Sequence, residues 1–421
     1  MCLFFIRNSL IFNTLHLFLS WLIGIFISDY QSLKFNLVRY KVMNNVFSIL
    51  STVPDPRYGN RLTYPIDYLL LIAFSALMSG FKTWNQFALY AELHKKDLKK
   101  VYKRLSQKEL RSYTPSHDTF SYAFSALDPE KFREAFTNWI SEIFQIVGQH
   151  IAIDGKTVRG VKNIIPDADA HVVTAYLSGI KVALNEVFIS KKSHEINAIK
   201  ELFELIDIKD NVITIDAIGT QKDIVDIIRE REGDYVLNVK ANQPGTLFEL
   251  EEHFTPFYKD EIIKNIEETS GHGRVETRVM ESIVDPLRFA DIEQYKSLDK
   301  WKDIMSIHKL TRTRYDKSKG TESTEISYYI SSLKECERVF KMIRSHWAIE
   351  NNLHYCLDVL FDEDQSLRRK DNSAKNVNIM YKIALFFLER LRCQKKRTFD
   401  AYQKINALKE PSQILKTDYG F

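Results

Sequence analysis

His150-Ile-Ala-Ile-Asp154-Gly-Lys-Thr157 is the stretch of this chain from which the fold can be read. Its apolar residues predict a buried strand over 151–154, which ends in a carboxylate. Asp216 closes a second such run, Val212-Ile-Thr-Ile-Asp216, and Glu350 lies in an apolar-faced segment further along. A buried carboxylate is costly unless it is paired, hydrogen-bonded or bound to a metal. Three of them on separate elements indicate a divalent-metal site, and with it phosphoryl-transfer chemistry.

The elements around this stretch follow an informative order. Turn signals separate strands predicted at 151–154, 170–177 and 181–190, which indicates an antiparallel meander. A helix over 195–206, a strand over 212–216, a helix over 221–232 and a strand over 235–239 follow. This is the order of an α/β ribonuclease-H-like mixed sheet, which carries carboxylates on its first and fourth strands. Asp154 and Asp216 fall at those two places.

The flanking patterns predict the domain organisation. Residues 43–147 form an all-helical N-terminal domain, with helices at 68–81, 83–105, from Ser116 through Leu127, and from Asp128 through Val147. Residues 148–395 form the ribonuclease-H-like domain, with a β-rich insertion at about 270–332 and a closing helix from Lys334 to about Leu360. Residues 396–421 are predicted to be a C-terminal tail.

Residues 1–42 are a hydrophobic leader, whose apolar run from Leu10 to Ile27 is near the lower limit for a membrane span. It could be a membrane anchor, a signal segment, or translated upstream sequence that is not native to the protein. Met43-Asn-Asn-Val would start an ordinary soluble domain, which favours the third reading. No membrane partner is then expected.

Composition and charge indicate a soluble globular protein, with 45% apolar and 27% charged residues. The net charge of +4 does not by itself indicate a nucleic-acid partner. Eight basic residues are clustered between Lys95 and Arg111, among them Lys99 and Lys103. This cluster could track a phosphate backbone, or it could be a solvated helix face. The four cysteines show no paired spacing, which argues against a zinc knuckle or a disulfide framework and fits a reducing cytoplasm.

The closing helix carries the third carboxylate. Helical periodicity puts Phe340, Ile343, Trp347 and Leu357 on one core-facing stripe, with Glu350 and His354 in its middle. Glu350 could instead be a buried residue paired with a Lys, Arg or His. A zinc site is the rival hypothesis, because four possible ligands follow at four-residue intervals: His346, Glu350, His354 and Asp358. This row drifts around the helix, so the four cannot all meet one ion.

Each strand aspartate also has a plain structural interpretation. Asp154 could form a turn before Gly155, and Asp216 could cap the helix that follows it. Together with Glu350, however, they meet the need of two Mg²⁺ ions for oxygen ligands. The chain has no glycine-rich phosphate loop, no Gly-x-Ser-x-Gly elbow and no His-Glu-x-x-His pair.

Several motifs, in order over about Asn45 to Arg390, resemble those of the H-repeat-associated transposases, the ISAs group of the insertion-sequence-four superclass of DDE transposases. They are Val53-Pro-Asp-Pro-Arg57, Asp154-Gly-Lys-Thr-Val-Arg-Gly160, Asp216-Ala-Ile-Gly-Thr-Gln221, Tyr235-Val-Leu-Asn-Val-Lys-Ala-Asn-Gln243, His272-Gly-Arg-Val-Glu-Thr-Arg278, His346-Trp-Ala-Ile-Glu-Asn351 and Asp358-Val-Leu-Phe-Asp-Glu-Asp364.

This resemblance implies a catalytic triad of Asp154, Asp216 and Glu350 that holds two Mg²⁺ or Mn²⁺ ions. Activated water would nick the ends of an insertion sequence, and the freed 3′-hydroxyl would attack target DNA. The partners implied are terminal inverted repeats, target DNA and a second copy of the chain, in the cytoplasm and associated with the nucleoid. The alternative is a catalytically inactive, transposase-derived DNA-binding protein.

The position of basic residues within these motifs suggests which of them contact DNA, although each could equally be a surface charge. The candidates are Lys156, Arg159, Lys240, Arg274, Arg344 and His346, together with Lys99 and Lys103 of the basic cluster. The wider superclass has Tyr, Arg and Lys around its glutamate, where this chain has Ile343, His346 and Leu357. His346 replaces the arginine, but no basic residue replaces the lysine.

Overall fold

The computed structural model describes residues 46–58, 62–144, 146–157, 171–190, 194–255, 261–271, 273–289, 296–366, 368–417 and 419. The leader at 1–42 and its apolar run lie outside these residues. Within these ranges no helix has both the length and the apolar character needed to cross a bilayer.

Within the described residues six helices precede the sheet, where the sequence predicted four. They are α1 (Val46–Thr52), α2 (Ile66–Met78), α3 (Trp84–Leu93), α4 (Lys95–Ser106), α5 (His117–Ala126) and α6 (Pro129–Ile143). The helix ends have the expected caps, because Ser116 accepts a hydrogen bond from the Thr119 amide and Asp128 from those of Glu130 and Lys131. The α2 helix is buried almost throughout and forms the centre of the group.

The prediction of a single helix over 83–105 is wrong. His94 has a non-helical backbone, with φ −103° and ψ 15°, and it ends α3 where α4 begins. Its imidazole lies 3.0 Å from a Glu410 carboxylate oxygen and stacks near the Tyr90 ring, so the bend is held by tertiary contacts. No glycine or proline marks this bend in the sequence, and periodicity alone therefore joined the two helices.

A nine-stranded sheet forms the centre of the remaining chain, in the order β3-β2-β1-β4-β5-β9-β8-β7-β6. The strands are β1 (His150–Thr157), β2 (His171–Leu177), β3 (Val182–Ile189), β4 (Val212–Ile215), β5 (Asp234–Val239), β6 (Ile263–Gly271), β7 (Arg274–Val284), β8 (Ser306–Asp316) and β9 (Thr321–Ser331). The antiparallel meander expected for β1, β2 and β3 is confirmed. The β1–β4 and β4–β5 pairs are parallel, and the remaining pairs are antiparallel.

Helices cover both faces of the first five strands, and one of them packs on β8. They are α7 (Glu195–Leu205), α8 (Lys222–Glu230), α9 (Pro244–His253), α10 (Cys336–His346), α11 (Tyr355–Phe361) and α12 (Ser373–Lys395). His171 of β2 contacts Glu195 of α7, whereas Thr174 of β2 contacts Lys382 of α12. Because the two strand positions differ by an odd number, α7 and α12 lie on opposite faces.

The β-rich insertion continues the sheet beyond β5 and begins earlier than expected. It was predicted from about residue 270, yet β6 already starts at Ile263. This strand is largely exposed and rich in polar residues such as Lys264, Glu267 and Glu268. A strand with little buried surface has no apolar alternation, which is the signal on which the prediction depended.

The C-terminal residues pack onto the N-terminal helices. Phe387 of α12 lies 5.3 Å from the Phe74 ring, centroid to centroid. Residues predicted to be a tail form α13 (Phe399–Ala407) and α14 (Pro411–Leu415). The Asn406 side chain donates a hydrogen bond to the Met78 carbonyl at 3.0 Å, and so closes the end of α2. The domain boundaries themselves stay predictions.

Candidate active site

Two adjacent parallel strands deliver Asp154 and Asp216 to the same end of the sheet. Ile153 of β1 is paired with Ile215 of β4, so the next residue of each strand is an aspartate. Both side chains are half-buried, and Asp154 retains 17% of its side-chain exposure. Polar side chains at the carboxyl ends of parallel strands meet at one edge, where α/β proteins commonly bind ligands.

The turn after β4 is held by the turn after β5. Asp216 accepts a hydrogen bond from the Ile218 amide at 3.2 Å, and so caps a short 3₁₀ turn, Ala217–Gly219. Thr220 donates to the Asn238 carbonyl at 2.6 Å, and Asn242 donates to the Ala217 carbonyl at 2.7 Å. Two of the sequence motifs are therefore one structural unit that fixes the backbone of Asp216.

Glu350 reaches the site from a break in the closing helix, and its predicted burial is wrong. The segment 334–360 was expected to be a single helix. It consists of α10, a π-helical turn at Glu350–His354, and α11. A π turn inserts an extra residue and shifts the side chains that follow around the helix. Ile343 and Leu357 are buried as expected, but Trp347 is 46% exposed and Glu350 is exposed.

One cavity of about 210 Å³ joins the three carboxylates. Its wall includes Asp154, Asp216 and Glu350. Other polar or aromatic side chains on the wall are Thr214, Asn238, Lys240, Glu325, Ser327, Tyr329, His346 and Trp347. Residues from β1, β4, β5, β9, α10 and the π turn thus share one concave surface. The roles assigned to the three carboxylates remain a prediction, which this geometry permits.

The carboxylates differ in their electrostatic surroundings. Burial opposes the charge of Asp154, but His354, whose Nδ1 is 3.4 Å from Oδ2, holds the pKa of Asp154 below its usual value. Burial raises the pKa of Asp216, and the charges of Glu195 and Asp154 raise it further. Burial and the Asp154 charge likewise raise the pKa of Glu350. Asp154 therefore repels both other carboxylates, and a cation between them would relieve that repulsion.

The donor chemistry fits a hard divalent cation, because the three carboxylates offer only oxygen ligands. Among the residues that the structure describes, no three His, Cys, Asp or Glu side chains lie close enough to hold one ion.

The four possible zinc ligands of the closing helix do not meet at one place, because three of them have separate partners. His346 bonds to Thr214, His354 pairs with Asp154, and Asp358 pairs with Lys156.

The predicted DNA contacts fall into different places. Lys240 is exposed and lines the cavity, as does His346. Arg344 lines an adjoining groove of about 390 Å³, which we call the arginine groove. This groove shares Trp347 and Glu350 with the cavity, and its four arginines are Arg278, Arg312, Arg314 and Arg344.

The other predicted contacts lie away from the cavity wall. Lys156 is 2.6 Å from an Asp358 oxygen and 2.5 Å from a Glu363 oxygen, so it would have to leave both to reach a phosphate. Arg274 is exposed at the start of β7, 3.6 Å from Asp316. Lys99 and Lys103 are exposed on α4. Arg159 lies outside the described residues.

Sequence reasoning overlooked His150, which is buried behind the cavity, and Thr214 on the cavity wall. Thr214 Oγ1 lies 2.7 Å from His150 Nε2 and 2.8 Å from His346 Nδ1. The alternation of side chains along a strand was the available signal, since His150 shares a face with Asp154 and Thr214 shares one with Asp216. It also overlooked His354 as the partner of Asp154.

Comparisons with known proteins identify the relatives of this chain. A family profile described as "Transposase DDE domain" matches residues 146–387, and one described as "DDE_Tnp_1-associated" matches residues 47–140. The "Putative transposase YncI" of Escherichia coli O157:H7 is 34% identical over 355 residues, which cover 82% of this chain and 87% of that protein. The "H repeat-associated putative transposase YhhI" of Escherichia coli K12 is 32% identical over 349 residues, which cover 80% and 89%.

A structural comparison pairs the chain with a piggyBac transposase, solved as a synaptic complex with hairpin DNA. The TM-score is 0.40 at 12% identity, and the match covers 89% of this chain and 77% of that one. A likeness of this size carries no argument about the site.

Proposed function

The chain belongs to the H-repeat-associated DDE transposases, and from this premise we propose that it cleaves DNA at the ends of an insertion sequence and joins them to target DNA. The observation that carries the proposal is the shared cavity of Asp154, Asp216 and Glu350. The first five strands, in the order β3-β2-β1-β4-β5, would then be a ribonuclease-H-like core whose first and fourth strands carry the aspartates.

The chemistry proposed is a pair of phosphoryl transfers. Water attacks a phosphorus atom at the end of the element, the bond to the 3′-oxygen breaks, and a 3′-hydroxyl is released. That hydroxyl then attacks a phosphorus atom of the target strand and displaces its 3′-oxygen. Mg²⁺ or Mn²⁺ bound by Asp154, Asp216 and Glu350 would activate the attacking oxygen and stabilise the leaving one.

The protein's own residues would position the DNA and the reacting groups. Asp154 and Asp216 present oxygens from a rigid pair of strands, whereas Glu350 approaches from the π turn. Lys240 on the rim would neutralise a phosphate charge beside them. The arginine groove opens beside the same site. Its guanidinium groups pair with Glu267, Glu276 and Glu325, and they would exchange these carboxylates for phosphate oxygens of similar geometry. A protein that acts on chromosomal DNA would be found at the nucleoid. We propose that it binds its DNA as a dimer.

The test is cleavage of a plasmid that carries the gene with its flanking DNA, in the presence of Mg²⁺. Asp154→Asn, Asp216→Asn and Glu350→Gln should each lower the cleavage rate by about a thousandfold or more, equivalent to about 4 kcal/mol of transition-state stabilisation. DNA binding, measured by mobility shift, should survive. Equal cleavage by any of these variants would contradict its proposed role.

A matched control separates this effect from a general loss of negative charge. Glu337 is an exposed residue of α10 that does not line the cavity. Its carboxylate lies 2.6 Å from the Lys341 ammonium group. Glu337→Gln should cleave at the rate of the unmodified protein. If the unmodified protein binds DNA but never cleaves it, the proposal fails in favour of a DNA-binding protein without catalysis.

A further inference from the structure

A chain of hydrogen bonds runs from the interior of the sheet to the cavity wall. His150 Nε2 is 2.7 Å from Thr214 Oγ1, which is 2.8 Å from His346 Nδ1. His150 is 6% exposed and Thr214 is 2% exposed, so the inner end of this series of hydrogen bonds is shielded from solvent. His346 is half-buried and lines the cavity beside the three carboxylates. We call these residues the His150–Thr214–His346 chain.

A hydroxyl group carries one proton, so Thr214 can donate to only one of the two imidazoles and must accept from the other. In the first arrangement His150 Nε2–H donates to Thr214, and Thr214 donates to His346 Nδ1. The proton of His346 then lies on Nε2. In the second arrangement His346 Nδ1–H donates to Thr214, Thr214 donates to His150 Nε2, and His346 Nε2 carries a lone pair.

The inner histidine decides between the two arrangements. His150 Nδ1 is buried without a hydrogen-bond partner in the part of the chain that the structure describes. The second arrangement would place a proton on this nitrogen and leave a buried N–H unpaired, which folded proteins strongly avoid. The first arrangement leaves only a lone pair there. The first is therefore favoured, and His346 carries its proton on Nε2.

Both imidazoles are neutral near pH 7. Burial lowers the pKa of His150 to about 3, and the neighbouring His346 lowers it too. Burial also lowers the pKa of His346, against the opposing effect of the Asp154 charge. Within the described residues the His346 ring is hydrogen-bonded through Nδ1, and its Nε2 atom is not engaged. It is thus a neutral N–H donor that is free to meet a ligand in the cavity.

We propose that His346 donates this Nε2–H hydrogen bond to a non-bridging oxygen of the phosphate under attack, and that Thr214 and His150 are positioning residues that hold its proton on Nε2. The inference rests on the proposed phosphoryl transfer. Negative charge spreads over the non-bridging oxygens during such a transfer, so a fixed donor stabilises the transition state.

The position of the proton can be measured without any reaction. The full-length protein is labelled with ¹⁵N-histidine, and long-range ¹H–¹⁵N correlation spectra distinguish the Nε2–H form, the Nδ1–H form and the imidazolium. His346→Gln and His150→Gln variants assign the two signals. His346 should be in the Nε2–H form between about pH 6 and 8. A protonated ring or an Nδ1–H form would overturn the proposal.

Variants of Thr214 test the coupling. Thr214→Val keeps the shape of the side chain but removes the hydroxyl, so His346 should lose its single tautomer. Thr214→Ser keeps the hydroxyl and should keep the tautomer. An unchanged His346 signal in Thr214→Val would show that the chain does not hold the proton. Thermal melting checks that the variants are folded.

The catalytic part of the proposal is tested by single-turnover cleavage of bound DNA. His346→Ala should lower kcat by about 10²–10³-fold, as the loss of one transition-state donor does elsewhere, with KM little changed. His346→Gln can place an amide N–H near the position of Nε2 and should recover part of this loss. Thr214→Val should lower kcat by about tenfold, and Thr214→Ser should not.

The outcomes separate this proposal from the proposed function. If the unmodified protein cleaves and His346→Ala cleaves equally well, the donor role is overturned while the transposase activity stands. If the unmodified protein binds DNA without cleaving it, both the activity and the donor role fail. The tautomer measurement does not depend on either result.

Discussion

Gly155, the residue after Asp154, occupies a position that leaves no room for a side chain. A Cβ atom there would lie 2.6 Å from both Glu195 Oε1 and His171 Nε2. These two side chains are buried and face each other at 3.3 Å, so neither can easily move away. The glycine lets the α7 side of the sheet pack closely behind Asp154, and the position of Asp154 depends on that packing.

Gly155→Ala should therefore destabilise the protein and disturb the site. We expect a loss of about 1–3 kcal/mol in the free energy of unfolding, the usual cost of overpacking, and a drop in the cleavage rate. Gly271→Ala is the matched control, because nothing lies within 4 Å of the Cβ that it adds and its φ is not in the left-handed region. Urea unfolding of both variants checks this. Equal stabilities would contradict the close packing.

His308 makes folding sensitive to acid. It is fully buried on β8, and its Nε2 and Nδ1 lie 2.8 Å from the hydroxyls of Ser306 and Ser282. Ser306 donates its own proton to the Leu333 carbonyl, so it accepts a hydrogen bond from His308 Nε2–H. Burial lowers the pKa of His308 from 6.5 to about 3.

Between these two pKa values the unfolded chain binds a proton at this residue and the folded chain does not. Stability should thus rise with pH in this window and fall as the pH drops below about 6.5. From pH 7 to pH 5 this residue should cost about 2 kcal/mol. His308→Gln should reduce the difference in unfolding free energy between the two pH values by about that amount, although it lowers stability at both. His117→Gln, at an exposed position, should leave the difference unchanged.

At the scale of elements, α12 is tied to the sheet by a buried ion pair. Lys382 of α12 contacts Glu186 of β3, with side-chain exposures of 7% and 3%, and lies 3.5 Å from Thr174 Oγ1. Burial lowers the pKa of Lys382 well below its usual value. Such a pair fixes where the helix sits, but its Coulombic gain is largely offset by desolvation.

Removing one charge of this pair should destabilise the fold more than removing both charges. Lys382→Met leaves Glu186 buried without its partner and should destabilise the fold by about 3–5 kcal/mol. The double variant Lys382→Met with Glu186→Leu should recover most of that loss, since no charge remains buried. Denaturant unfolding of the two single variants and the double variant gives the coupling energy. A double variant as unstable as the sum of the single ones would refute this account.

The core strands were predictable because each is a short apolar run between turn signals. The runs before Asp154 and Asp216 are examples, and the predicted bounds differ from the observed ones by a few residues at most. The β6 strand was missed because its exposed residues carry no apolar pattern. The π turn at Glu350–His354 was not predictable, because an extra residue in one helical turn leaves no mark in the apolar periodicity of so short a segment.

At the scale of the whole molecule, the two ends of the described chain are joined around α4. Asp97 accepts hydrogen bonds at 2.8 Å from the Ser412 amide and hydroxyl of α14. This carboxylate is thereby turned away from the exposed face of α4. A contact between residues so far apart in sequence leaves no local signal, which is why residues 396–421 were predicted to be a tail.

What remains on the outer face of α4 is almost entirely cationic. Leu98, Val101 and Tyr102 point into the helical core. The exposed basic side chains of the helix are Lys95, Lys96, Lys99, Lys100, Lys103 and Arg104. Among the described residues, Lys103 alone of these has an acidic partner, Glu109 at 2.8 Å. The other basic side chains of this face could contact the backbone of duplex DNA outside the active site.

If α4 contacts DNA in this way, its lysines should determine part of the salt dependence of binding. Each phosphate contact releases counterions and contributes about 0.9 to the slope of log affinity against log salt. Lys95→Gln with Lys99→Gln, two exposed lysines on one side of α4, should therefore lower that slope by about 1.8 for any DNA sequence and leave cleavage of bound DNA unchanged. Lys209→Gln with Lys404→Gln removes two exposed lysines that pair with Glu232 and Asp400, and it should leave the slope as it is. Fluorescence titrations between 50 and about 200 mM salt measure both slopes. Equal slopes would mean that the cationic face of α4 is solvated and does not contact DNA.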